Sequence, residues 1–215
     1  MNEERLRDLA AALAELCIGK HHMLMTAESC TGGWIAKICT DLPGSSLWFE
    51  QGFVTYSNAA KRELLGVAGD VLERAGAVSE AVARSMAEGA LRNSRAEVAL
   101  AVTGIAGPDG GAPDKPVGTV WFGWAVAGEA TLTVCRRFDG DREAVRRQTV
   151  RAALGGHQAV RVASRDRELG RVDAGLGTLR LVVQGDVETA PFGPAGVHAH
   201  EHLGEVLGVD ATVLR

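Results

Sequence analysis

Met23-Leu24-Met25-Thr26-Ala27-Glu28-Ser29-Cys30-Thr31-Gly32-Gly33 is the stretch that decides the fold class. Its first half, residues 23–27, is an apolar run of strand length. Residues 31–42 then bring Ile35, Ile38, Cys39 and Leu42 onto one helical face, and Pro43-Gly44 stops them. A strand entering a helix through a tight polar turn is the building unit of an α/β sheet. Such a turn raises one side chain at the carboxyl edge of the sheet. The N–H groups of Gly32 and Gly33, at the start of the helix, are suited to hold an anion. Ser29 and Cys30 are then two candidate nucleophiles. The same residues also read as purely structural, with Ser29 or Thr31 capping the helix and Cys30 packing in the core.

Outward from this unit the alternation continues. Residues 3–18 are an amphipathic helix by spacing, with Leu6, Leu9, Leu13 and Leu16 on one face and Gly19 suited to the C-terminal cap. Residues 51–57 alternate and carry β-formers, which predicts a strand, and Asn58 then caps a helix through Leu65. Ser79 opens a further helix with the apolar stripe Val82, Ala83, Met86, Ala87, Ala90 and Leu91. Residues 97–103 predict a second buried strand. Residues 118–126 and 130–138 predict an antiparallel pair joined at Gly128, and a basic helix follows Asp139-Gly140-Asp141. The expected fold is α/β, three-layer α/β/α, with a mixed, mainly parallel sheet and an irregular C-terminal tail.

Three more segments can carry chemistry. In Tyr56-Ser57-Asn58-Ala59-Ala60-Lys61, Lys61 lies one helical turn past a strand end. A desolvated lysine sheds its proton readily and can serve as base to a serine; the plainer alternative is a solvated lysine. The segment Thr103-Gly104-Ile105-Ala106-Gly107-Pro108-Asp109-Gly110-Gly111 follows a strand, where glycines admit a ligand close to the backbone. It matches neither the dinucleotide fingerprint nor the Walker loop, and a surface loop has the same composition. Arg142, at a loop–helix junction with Arg146 and Arg147 beyond, suits a phosphate or a solvated face. His198-Ala199-His200-Glu201-His202 has the spacing of a strand face and no evident further ligand, so no metal site is expected.

Composition sets the boundaries. The chain has 215 residues, 46% apolar and 23% charged, enough for one α/β domain with a sizeable core. Its formal net charge of −4 lies wholly in residues 166–215, since acidic and basic residues balance before them. Function is therefore sought in the neutral part, which lacks the basic surface that nucleic acid requires. No apolar run is long enough for a membrane span, and Asn2-Glu3-Glu4 does not open a signal peptide. Four irregularly spaced cysteines fit a reduced cytoplasmic protein.

Taken in order, residues 26–33, 44–61, Gly76-Ala77-Val78-Ser79, 103–111, 115–121 and Gly140-Asp141-Arg142 strongly resemble the CinA carboxy-terminal family, the nicotinamide-nucleotide amidases. The resemblance covers about residues 5–155, with no amino-terminal molybdopterin-binding-like domain before it, as in the stand-alone form. It implies an α/β/α fold, a homodimer, no metal or organic cofactor, and hydrolysis of nicotinamide mononucleotide to nicotinate mononucleotide and ammonia. Within that reaction Ser29 would attack the carboxamide, Lys61 with Tyr56 beside it would move the proton, and Gly32 and Gly33 would hold the oxyanion. Cys30, Thr31, Thr103, Gly104 and Gly107 would line the substrate site, and Arg142 would take its phosphate. A silent mononucleotide-binding module and a competence or DNA-damage accessory protein are the alternatives. Residues 1–160 are expected to form the amidase domain. Residues 161–215 are expected to be an unmatched acidic, glycine-rich tail: an appendage, a poorly ordered extension, or the product of a shifted reading frame.

Overall fold

The computed structural model describes residues 3–156. Five strands form one sheet: β1 (Leu24–Glu28), β2 (Phe49–Val54), β3 (Val98–Gly104), β4 (Thr119–Val126) and β5 (Leu132–Arg137). Their spatial order is β2-β1-β3-β4-β5. β1 pairs in parallel with β2 and β3, while β4 is antiparallel to β3 and β5 to β4. Four of the five strands thus run one way, and the sheet is mixed as expected.

Both faces are covered. Helices α1 (Glu3–Gly19), α2 (Trp34–Thr40) and α6 (Arg142–Gly155) pack on the face that shows Leu24, Val98, Leu100 and Val102. Helices α3 (Asn58–Leu65), α4 (Gly69–Ala75) and α5 (Glu80–Arg92) cover the other, against Met25, Ala27, Ala99 and Ala101. The two central strands are apolar on alternate residues to both sides, which is why they read as unbroken runs. Among the described residues no helix is long and apolar enough to cross a membrane.

Boundaries moved where tertiary contacts outbid local pattern. The helix after β1 starts at Trp34, because Gly32 (φ 62°) and Gly33 (φ 93°) hold the left-handed backbone that breaks a helix. α3 is capped by Ser57, whose hydroxyl accepts from the Ala60 N–H at 3.0 Å, one residue before the expected Asn58. β2 begins and ends earlier than its alternation suggests, so Thr55 and Tyr56 leave the ladder. The short α4 and a 3₁₀ turn at Ser45–Leu47 carried no periodic signal. The histidine run at 198–202 and the tail boundary lie outside the described residues.

α5 lies unusually close to its neighbours. A Cβ on Gly89 would overlap the backbone carbonyl of Leu65 at the end of α3. Helix propensity alone favours alanine over glycine by about 1 kcal/mol. Steric overlap with backbone is costlier, so Gly89→Ala should destabilise the fold by roughly 1–3 kcal/mol. Urea unfolding checks this; a midpoint equal to or above the parent's would show that α3 and α5 separate freely.

Candidate active site

Glu28, the last residue of β1, organises the turn that follows. Its carboxylate is buried and accepts from the Thr31 hydroxyl (2.7 Å) and from the N–H groups of Gly33 (3.0 Å), Ile35 (3.0 Å) and Ala36 (2.8 Å). α2 is therefore capped from the strand, and neither Ser29 nor the Thr31 hydroxyl caps it by itself. A carboxylate paired with several donors satisfies both its own burial and the open end of the helix. Ser29 is left with a hydroxyl free of helix duties.

That hydroxyl meets Lys61. Nζ of Lys61 stands 3.0 Å from Ser29 Oγ and donates to the Thr55 carbonyl at 2.8 Å. Lys61 is only 1% exposed. It reaches the turn because Ser57 starts α3 just above the sheet edge, which puts Lys61 one turn in and facing the core. Burial holds its pKa below the ordinary 10.5, since an ammonium without water is penalised. Among the described residues no carboxylate accepts from Nζ. The pair has the geometry of a nucleophile and its base.

The neighbouring thiol is poorly suited to the same task. Cys30 is buried, and burial, the largest cause, pushes its pKa up to about 12. At neutral pH it stays a protonated thiol, the unreactive form.

The N–H groups expected to serve as oxyanion donors, those of Gly32 and Gly33, are already engaged. The Gly33 N–H is engaged by Glu28, and the Gly32 N–H donates to the Ser29 carbonyl at 3.1 Å. Both are spent. The Cys30 N–H, on a residue that lines the cleft beside Ser29, donates to no other residue among those described. An N–H on the residue after a nucleophilic serine is also where the nucleophile elbow of other hydrolases places one donor.

A cleft of about 210 Å³ opens beside the pair. Ser29 and Lys61 form its buried end, with Cys30 beside them, and Val78, Thr103 and Gly104 line its wall. Thr103 is fixed there by donating its hydroxyl to the Ala77 carbonyl at 2.8 Å. Tyr56 and Arg142 stand at the open end. Tyr56 is 61% exposed, and its hydroxyl accepts from Arg142 Nη2 at 2.9 Å. It is a partner of Arg142, and the hydrogen bonds of Lys61 go to Ser29 and Thr55. Arg142 Nη1 also donates to the Gly107 carbonyl at 2.9 Å, tying the glycine loop to α6. Thr31, Gly32, Gly33 and Gly107 shape the walls from behind and do not line the cleft. A wider depression of about 370 Å³ on α6, lined by Asp141, Glu143, Ala144, Arg147 and Gln148, has no nucleophile and no base. The Ser29–Lys61 pair lies in the smaller cleft.

The model of the CinA C-terminal domain matches residues 6–160. The chain belongs to the CinA C-terminal domain family. It is 56% identical over 148 residues to the nicotinamide-nucleotide amidohydrolase PncC of Enterobacter agglomerans, covering 69% of this chain and 90% of the relative. With the protein of the same name from Escherichia coli K12 it shares 51% identity over 154 residues, 72% of this chain and 93% of that one. Among solved structures, the competence/damage inducible protein CihA of Agrobacterium tumefaciens superposes with a TM-score of 0.71 at 44% identity, covering 73% of this chain and 96% of the other. The sheet and its covering helices are thus those of the CinA superfamily structures.

Two residues of this CinA domain were missed by sequence reasoning. Glu28 gave a usable signal, an acidic residue at the end of an otherwise apolar strand. Arg146 gave less. From α6 its Nε donates to the Cys30 carbonyl at 3.1 Å and its Nη2 to the Thr31 carbonyl at 2.7 Å.

Proposed function

We propose that this chain hydrolyses the carboxamide of nicotinamide mononucleotide, giving nicotinate mononucleotide and ammonia, by a serine–lysine mechanism. The observation that carries it is the buried Lys61 amine 3.0 Å from Ser29 Oγ at the end of a cleft. The name of the 51–56% identical relatives supplies the substrate.

The steps follow from the geometry. Lys61 in its neutral form gives one hydrogen to the Thr55 carbonyl and turns its lone pair to the Ser29 hydroxyl. Ser29 Oγ bonds to the carboxamide carbon as its proton passes to Nζ, and the carbonyl oxygen becomes an oxyanion facing the N–H of Cys30. Collapse breaks the C–N bond; Lys61 returns the proton to nitrogen, and ammonia leaves. Water then attacks the ester, giving a proton to Lys61, and the acid departs as Ser29 recovers its own proton. The balance closes with water alone, so neither metal nor organic cofactor is required.

At the cleft mouth Arg142 takes the 5′-phosphate, exchanging its bonds to Tyr56 and Gly107 for charged ones, while Thr103 and Gly104 border the nucleoside. A charge-assisted bond of this kind contributes about 1.5–3 kcal/mol. Arg142→Met should therefore raise KM by roughly tenfold to a hundredfold with little change in kcat. Steady-state kinetics decide it; a loss confined to kcat would place Arg142 in the chemistry instead. The enzyme unit is residues 1–160, working as a cytoplasmic homodimer, and light scattering of the purified chain tests the assembly.

Incubation with nicotinamide mononucleotide, following ammonia, tests the function itself. Ammonia released in step with nicotinate mononucleotide supports it. Tight mononucleotide binding without ammonia would favour the silent binding module.

A further inference from the structure

Arg146 is the one described cation that touches the backbone of the nucleophile turn, and it does so at two consecutive carbonyls. Peptide groups are planar and trans, so a carbonyl and the N–H of the next residue point in opposite directions. Nε holds the Cys30 carbonyl, which turns the Thr31 N–H the other way. Nη2 holds the Thr31 carbonyl, which turns the Gly32 N–H toward the Ser29 carbonyl. That last bond in turn fixes the peptide that carries the Cys30 N–H. One guanidinium thereby fixes the peptide that carries the Cys30 N–H, the donor of this turn whose residue lines the cleft.

The guanidinium is itself held. Trp34 at the start of α2 lies under Arg146, with the guanidinium carbon 5.4 Å from the ring centroid, and Arg147 stacks on the same ring at 5.3 Å. Glu28 grips the donors of the turn from the sheet side and Arg146 grips its acceptors from α6. Neither a lysine nor a neutral side chain reproduces the planar fork that reaches two carbonyls at once.

We infer, resting on the amidohydrolase function proposed above, that Arg146 is a positioning residue that pre-aims the Cys30 N–H at the oxyanion. It does not touch substrate. Preorganised donors act on the transition state and leave ground-state binding alone, so the signature is a fall in kcat at constant KM.

The test compares the full chain with its Arg146→Met and Arg146→Lys variants, using nicotinamide mononucleotide as substrate and its 3-carboxaldehyde analogue as inhibitor. The aldehyde forms a tetrahedral adduct with Ser29 and so needs the same donor. Removing a whole oxyanion donor costs about 10²–10³ in rate, and misaligning one should cost Arg146→Met roughly 10–100-fold in kcat. KM should stay within about twofold, inhibition by the aldehyde should weaken in parallel with kcat, and Arg146→Lys should recover part of both. A kcat within twofold of the parent would overturn the inference, as would a loss in which KM and aldehyde binding do not follow this split. If the parent itself releases no ammonia, the amidase function fails, and aldehyde binding to the parent and to Arg146→Met still reads the orientation of the donor: equal affinity overturns it.

Discussion

Ser29→Ala should release ammonia from nicotinamide mononucleotide at least about 10⁴-fold more slowly than the parent, while keeping its fold. The magnitude follows from the non-additivity of nucleophile and base: removing either one forfeits nearly everything the pair supplies. Stability should change little. Ser29 is nearly buried but small, and its loss leaves Lys61 still donating to the Thr55 carbonyl. Cys30→Ala is the informative control. Its thiol is raised to about 12 by burial, so at neutral pH it offers almost no thiolate, and its removal should cost less than about tenfold. The rate of ammonia release in the two variants settles the nucleophile. Full loss in Cys30→Ala with activity retained in Ser29→Ala would move it to sulfur.

Much of this site was legible before any coordinates, and for a physical reason. A strand that ends in a polar turn must present something at the sheet edge, and Lys61 one turn after the next strand is at the height to meet it. Strand and helix types were equally legible, because the central strands are apolar on both faces and α5 carries a long apolar stripe. What sequence could not reveal were partners far apart in the chain. The bonds of Arg146 to the turn span more than a hundred residues, and nothing local distinguishes it from Arg147. The N–H groups of Gly32 and Gly33 read as free oxyanion donors for a related reason. Glycines after a serine suggest free N–H groups, but Gly33 was already claimed by the Glu28 carboxylate, whose burial only the packed sheet enforces. Likewise Tyr56 lies close to Lys61 in sequence, yet the chain leaves the ladder at Thr55 and turns the tyrosine outward to Arg142.

Lys61→Met separates catalysis from stability in opposite directions. Methionine keeps the length and packing of the buried stem without an amine, so it removes the base that is hydrogen-bonded to Ser29. General-base catalysis is worth about 10²–10⁴, and the same group also protonates the leaving nitrogen, so the upper end or beyond is expected for kcat. Stability should rise at neutral pH, because the folded protein no longer has to bury an ammonium. The pH dependence fixes the sign. Burial sets the folded pKa of Lys61 below its unfolded value of 10.5, so between the two the unfolded chain holds more protons and the parent gains stability as pH increases. Below the folded pKa the parent carries the full penalty; above 10.5 it carries none. The stability gap between Lys61→Met and the parent should therefore be widest at low pH and close as the pH climbs toward 10.5. Urea melts of both proteins across that range measure it. In the parent, kcat/KM should increase with pH through the same folded pKa, since only the neutral amine accepts the Ser29 proton. A gap that does not change with pH, or a rate that falls as pH is raised from neutrality, would mean that the Lys61 amine is not the group that titrates at Ser29.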